Sequence, residues 1–339
     1  MSANSKIEWT EHTFNPWWGC EKISEGCANC YACTLSKRTG NDLWGKDAPR
    51  RFFGDAHWSE PLKWDAAARK LGVMHRVFCG SMCDILEDRE DLIGPRERAF
   101  RLADDTPNLL WLFLTKRPEN ARAFFPCRWA GNGKWPRNVM FGLTIENQPR
   151  LDERMPHVVD FQREFVGSRI FASCEPLLSA LNWQPVADRR YGPGYNANSW
   201  LQYLDWVIGG GESGAKARPS HPTWFRKLRD DCVNRDDMGR PWPVPFLFKQ
   251  WGEWLPIATP RMDAKIGDTL LIHPNGTAET ATWSDVMESR NTVWAAQRVG
   301  KKAAGRSLDG RTWDEVPYLP YGPQLPGLEN YGSTKRLTS

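Results

Sequence analysis

Between residues 76 and 250 one pattern recurs: a short apolar run rich in β-branched and aromatic side chains, a polar or small-residue turn, then a segment able to form a helix. The runs are residues 76–80, 110–114, 139–143, 169–172, 206–208 and 245–248. They are nearly continuous rather than alternating, as strands buried on both faces of a parallel sheet must be. A right-handed succession of such βα units builds a full or partial barrel with functional groups at the C-terminal strand ends. Polar clusters stand at those ends, at 81–84, 115–117, 144–147, 174–176, 209–214 and 249–252. The pattern therefore predicts an α/β chain folded as a partial (β/α)6 TIM-type barrel.

Two stretches, 127–136 and 184–199, are rich in Gly, Asn and Pro and read as insertions. Beyond about Leu255 the pattern fades. The expected organisation is a barrel over residues 1–254 and a C-terminal extension packed on it over 255–339. In the extension, residues 298–311 carry Arg298, Lys301, Lys302, Arg306 and Arg311 against one acid, Asp309. A solvated basic face is the default reading of such a run, and phosphate contact is the alternative.

Composition adds limits. Charged residues at 25% and hydrophobic residues at 40% describe an ordinary folded chain. No apolar run is long enough to span a bilayer, and the polar N-terminus has no secretory core, so no membrane partner and a cytoplasmic location are expected. The net charge of +4 is compatible with a nucleic-acid partner without demanding one. Of nineteen tryptophans, Trp9, Trp17, Trp18, Trp44, Trp58 and Trp64 lie around the cysteine-rich start, where core packing and shielding of a site is the simpler reading than base stacking. Nine cysteines are few for a disulfide scaffold, and four of them fall between Cys20 and Cys33. In a reducing compartment such clustering points to metal.

The segment WWGCEKISEGCANCYA spaces its cysteines as C-x6-C-x2-C, with Cys33 beyond. Three thiolates from one loop, those of Cys20, Cys27 and Cys30, can hold three irons of a [4Fe–4S] cube and leave the fourth open. An open iron is what S-adenosylmethionine (SAM) chemistry requires: it binds the amino and carboxylate groups of SAM, and an electron then breaks the sulfur–C5′ bond to give a 5′-deoxyadenosyl radical. The competing reading is structural zinc held by all four cysteines, although zinc sites usually draw ligand pairs from separate knuckles. The first gap is longer than the C-x3-C-x2-C of most radical SAM proteins, and Cys33 reads as a bystander.

The chain resembles a family of radical-SAM-like proteins common in phages and prophages. The resemblance is carried by FNPWWGCEKISEGCANCYA, SMCD at 81–84, LTKRPEN at 114–120, GLTIENQ at 142–148, SCEPLL at 173–178, WVIGGGESG at 206–214, FKQWG at 248–252 and VGKKAAGRSLDGR at 299–311. The chain is also distantly similar to spore photoproduct lyase, a radical SAM enzyme acting on thymine in DNA. The resemblance implies a partial barrel of the radical SAM kind, with SAM lying across the strand ends and an external electron donor of flavodoxin or ferredoxin type. By the same resemblance Ser81 and Asp84 sit near the methionine or ribose of SAM, Lys116 pairs with its carboxylate, and Thr144 and Glu146 bond its amino group or ribose. Each has a structural alternative: Ser81 and Thr144 as helix caps, Lys116 and Glu146 as partners of each other.

Glu175 and Glu212 each follow a strand and are candidates for substrate contact or proton transfer in the barrel mouth. The run Gly209–Gly211 before Glu212 also suits a tight strand-to-helix connection. The substrate expected from the resemblance, the basic tail segment and the aromatics is a nucleotide or DNA, in particular a hypermodified thymine of phage DNA that is modified or rearranged in the host cytoplasm. A small molecule or peptide is the alternative substrate. A zinc-stabilised nucleic-acid-binding protein is the alternative without catalysis.

Overall fold

The computed structural model describes residues 5–184, 199–233, 243–257, 269–281, 285 and 293–318. Seven strands form one all-parallel sheet in chain order: β1 (His12–Phe14), β2 (His75–Cys79), β3 (Leu109–Thr115), β4 (Val139–Thr144), β5 (Arg169–Cys174), β6 (Trp206–Gly210) and β7 (Phe246–Gln250). The sheet curls into a half-barrel whose first and last strands are not paired. Six of these strands occupy the apolar runs, but the six-unit expectation misses β1. That strand is three residues long and reads HTF, too short and too polar to register as a run.

The side-chain parity of the strands explains why the runs are continuous. On β3, Leu110 and Leu112 enter the inner cluster while Trp111 and Phe113 enter the outer one. The same split places Phe78, Met140, Phe171, Trp206, Ile208 and Leu247 inside, and Val77, Phe141, Ala172, Val207, Phe246 and Phe248 outside. Both faces of every central strand are therefore apolar, because helices cover the outside and the curled inner face packs around its own cluster. The outer layer is built by α1 (Tyr31–Arg38), α2 (Asp55–Trp58), α3 (Glu60–Leu71), α4 (Ile93–Asp105), α5 (Ala121–Phe124), α6 (Gln148–Glu164) and α7 (Pro222–Val233).

The open side is plugged from both ends of the chain. Trp9 crosses the interior, with its ring 4.6 Å from Phe78, 6.2 Å from Phe171 and 6.4 Å from Trp206, and Val316 joins the same cluster from the other terminus. The stretch read as an insertion at 127–136 contributes to the core: Trp129 and Trp135 are buried against Phe125, Phe161 and Phe165. Apart from its two end residues, the second insertion lies outside the described residues.

After β7 the chain forms a four-stranded antiparallel sheet from β8 (Trp254–Ile257), β9 (Thr269–Ile272), β10 (Ala278–Thr280) and β11 (Trp294–Arg298). A short helix, α8 (Lys301–Ala304), and the hairpin β12 (Ser307–Leu308) with β13 (Arg311–Thr312) follow. The chain then returns to the edge of β7, where Phe248 N bonds Trp313 O at 2.9 Å and Glu315 N bonds Phe246 O at 3.3 Å, while Trp206 Nε1 of β6 reaches Glu315 O at 2.8 Å. This return covers strand edge that would otherwise be unpaired. Among the described residues no helix is long and apolar enough to cross a membrane.

Candidate active site

A cavity of about 380 Å³ opens at the C-terminal ends of the parallel strands, within the size range of small-molecule sites. Strand parity decides what lines it. Continuing the inner-face positions two residues at a time past the apolar cluster gives Lys116 after Leu112 and Leu114, Thr144 after Met140 and Gly142, and Ser173 and Glu175 after Phe171. It likewise gives Glu212 after Ile208 and Gly210, and Lys249 after Leu247. All six line the cavity, together with Ser81 and Asp84 beyond β2. Ser173 and Lys249 were missed as site residues by the motif reading, although counting along the inner face from Phe171 and Leu247 finds both.

The cysteine loop lies over this mouth. It leaves β1, passes Trp17, and is fastened at Trp18 by two backbone hydrogen bonds of 2.9 Å with Arg51. Cys27 ends a 3-10 turn (Glu25–Cys27), and Cys30 stands at the N-cap of α1. Cys20, Cys27 and Cys30 are free, half-buried and on the cavity wall. Cys33 is buried and is not among the lining residues; the further thiol on the wall is Cys83.

The thiols differ electrostatically. Burial, reinforced by the Asp84 carboxylate, pushes Cys20 up to about 12 even though the Arg117 guanidinium stands 3.9 Å from its sulfur. Burial also raises Cys30. At Cys27 burial is outweighed by Lys116, the Ile23 backbone and Ser24, which together bring the thiol below its ordinary value.

Polar residues tie the loop to four strand ends. Tyr31 donates to Ser81 O at 2.7 Å beyond β2, and Arg117 beyond β3 donates to Glu21 O at 3.3 Å. Beyond β4, Glu146 accepts from Ser24 Oγ on the loop and from Arg154 Nη1 at 2.6 Å, and Arg150 pairs with Glu25 at 3.1 Å. Beyond β6, Glu212 accepts from Asn29 Nδ2 at 3.0 Å and from the Arg218 guanidinium, which also reaches Glu25 O at 3.0 Å.

This geometry places the residues expected to meet SAM differently from one another. Glu146 is fully buried beneath the loop and is not a cavity residue, because both its oxygens are engaged by Ser24 and Arg154. Gly26 packs directly on this carboxylate: a Cβ there would stand 2.8 Å from Glu146 Oε1 and press it from its place. Asp84 lines the cavity, but its oxygens accept from Leu86 N, Thr115 Oγ1, Lys116 N and Arg117 Nη1, so it organises the turn after β3. Lys116 is the less committed group. Among the described residues its Nζ makes one hydrogen bond, to Thr144 Oγ1 at 3.3 Å, rather than pairing with Glu146 directly. Ser81 accepts from Asn15 Nδ2 at 2.9 Å.

Glu212 is held below the ordinary carboxylate range: burial raises it, but Arg218 and Asn29 more than compensate. Its glycine run serves a close backbone crossing. A Cβ on Gly211 would meet Trp251 O at 1.9 Å, and one on Gly252 would meet Glu212 O at 2.0 Å, which accounts for glycine in both GGGESG and FKQWG. Of the basic tail segment, Lys301 lines the cavity. Arg298, Lys301, Lys302 and Arg311 are exposed, as a solvated face requires, while their contacts tie the segment down: Arg298 bonds Ala215 O at 2.7 Å, the half-buried Arg306 bonds Lys249 O at 3.0 Å, and Arg311 stacks 4.0 Å over Trp313.

The family described as "Protein of unknown function (DUF5131)" matches residues 4–317. The chain belongs to that family. No curated protein matches the chain. Among solved structures, a Cys-to-Ser mutant of spore photoproduct lyase is similar with a TM-score of 0.36 and 13% identity over 71% of this chain and 68% of that chain. A likeness this distant carries no argument about the site.

The donor set can be weighed against a [4Fe–4S] cluster on the geometry itself. Three thiols free of disulfides share one cavity wall, as the thiolate ligation of such a cluster asks. Among the described residues no three Cys, His, Asp or Glu side chains are grouped closely enough to hold a metal as they stand. The fit is one of donor chemistry and placement, and the thiols have to draw together on loading.

Proposed function

We propose that this protein is a radical SAM enzyme in which Cys20, Cys27 and Cys30 hold a [4Fe–4S] cluster. The observation that carries the reading is the convergence of these three thiols with Ser81, Lys116, Thr144 and Glu175 on one cavity at the C-terminal ends of a parallel half-barrel. When bound, the cluster and SAM together supply a 5′-deoxyadenosyl radical that abstracts a substrate hydrogen. The protein's part is to bind, orient and exclude water.

Lys116, with donors left over beside Cys27, takes the carboxylate of SAM, and Thr144 orients the lysine. Glu146 and Glu212 keep the cysteine loop seated over the mouth, while Glu175 and Lys249 face the substrate. The four-cysteine zinc alternative is less well supported, since Cys33 is not on the cavity wall. The substrate in this reading is a nucleotide or DNA carrying a modified thymine that is altered or rearranged; duplex DNA would have to release the base from its stack.

The test is anaerobic: load the protein with iron and sulfide, add dithionite and SAM, and assay 5′-deoxyadenosine by mass spectrometry. Its formation, lost on Cys20→Ala, Cys27→Ala or Cys30→Ala and kept on Cys33→Ala, supports the reading. A colourless, zinc-loaded protein that forms none overturns it.

A further inference from the structure

The cavity has a second wall, formed by elements other than the cysteine loop, and three of its residues carry buried, unmet polar atoms. Trp9 Nε1, Glu175 Oε1 and Gln250 Oε1 are buried without a hydrogen-bond partner, and all three residues line the cavity. Trp9 is 2% and Gln250 4% exposed. Gln250 is held from the other end of its amide, where Nε2 donates to Gly211 O at 3.2 Å, and the second oxygen of Glu175 is taken by Lys249. Gly210 makes the space for Glu175, whose carboxyl carbon lies 3.1 Å from where a Cβ would be. Buried polar atoms are nearly always paired, so three orphans on residues that line one cavity point to a ligand toward which these side chains turn, and which then supplies the partners.

Charge decides what kind of ligand. Glu175 and Lys249 neutralise each other with side chains only 13% and 17% exposed, and Lys301 at the same cavity stands 3.5 Å from Glu8. A ligand group with net charge would be left unpaired in a poorly solvated place, whereas a neutral one would not. Trp9, Phe78 and Leu114 add an apolar, partly aromatic surface.

We propose that this wall is a subsite for an uncharged, planar, amide-type group, one that offers both N–H and C=O. Its N–H is shared between Glu175 Oε1 and Gln250 Oε1, and its carbonyl oxygen accepts from Trp9 Nε1 or the spare donors of Lys249. The assignment deepens the radical SAM reading and rests on it for the statement that the bound group belongs to the substrate.

The experiment is ligand-observed NMR on the full-length protein without added cofactors, using three probes of similar size: glutarimide (neutral), glutarate (anionic) and piperidine (cationic at neutral pH). Glutarimide binds, and the charged probes bind about tenfold more weakly or not at all, as expected for charge left unpaired in a buried site. Gln250→Leu and Trp9→Phe each weaken glutarimide by about five- to tenfold, the loss of one buried hydrogen bond. Equal binding of all three probes, or unchanged affinity in both folded variants, overturns the subsite. A crystal soaked in glutarimide tests it without variants: the imide between Trp9 and Gln250 supports it, and the imide elsewhere refutes it. Glutarimide binding without 5′-deoxyadenosine formation leaves the subsite standing while the radical SAM reading fails; 5′-deoxyadenosine formation without glutarimide binding does the reverse.

Discussion

Glu146 and Glu212 show how a carboxylate at a strand end can serve a loop rather than a ligand. Both accept hydrogen bonds from the cysteine loop, and both titrate below the ordinary 4.5. For Glu146 burial is opposed by Lys116, Arg154 and Ser24. A depressed carboxylate stabilises the folded form fully above the unfolded value and loses that contribution as pH falls through the folded one. Protection of residues 21–30 against hydrogen exchange, corrected for intrinsic rates, is therefore expected to hold at neutral pH and fall off below about 4, within the range set by ordinary carboxylates. Glu212→Gln is expected to raise exchange in this loop at neutral pH and to flatten the pH dependence. An unchanged profile would mean that Glu212 does not hold the loop.

The thiols are tested at the same scale. Iron content after anaerobic loading is expected to fall for Cys27→Ala and to survive Cys83→Ala, although Cys83 shares the cavity wall. Iron lost on Cys83→Ala with the fold intact would reassign the ligands.

At the scale of elements, the ends of β6 and β7 cross so closely that glycine is a spatial requirement. Gly211→Ala drives a methyl into Trp251 O and is expected to destabilise the fold by about 2–4 kcal/mol, read from urea unfolding. The helix after β4 is positioned by its cap: Asn147 accepts from Arg150 N at 3.1 Å, and Asn147→Ala is expected to cost about 1 kcal/mol in the same measurement. Such a loss would also loosen Arg150 and Arg154, which brace the loop through Glu25 and Glu146.

For the whole molecule, the half-barrel depends on both ends of the chain. Trp9→Ala removes a fully buried ring from the interior cluster and is expected to cost about 3–5 kcal/mol, measured as a lower unfolding midpoint. Removing residues from 306 onward uncovers β7, whose edge is met by Trp313 and Glu315, and is expected to give self-association in size-exclusion chromatography. A monomeric truncation with an unchanged melting temperature would show that the return is dispensable.

Apolar runs and their spacing are local properties, so the sequence by itself determined the parallel α/β class, six of seven strands and the polar strand ends that carry Ser81, Lys116, Thr144, Glu175 and Glu212. It also singled out Cys20, Cys27 and Cys30, because a loop that places three thiols on one wall needs only short-range spacing. Tertiary structure alone decided which polar side chains remain free. Glu146 and Lys116 both read as strand-end polar groups, yet Ser24 of the distant cysteine loop, with Arg154, engages one and leaves the other open. It also brought Trp9 and Gln250, from opposite parts of the chain, to one cavity, and set Lys301 of the basic tail at its rim. Each of those outcomes depends on contacts between distant segments, and burial and pairing are settled only when those segments meet.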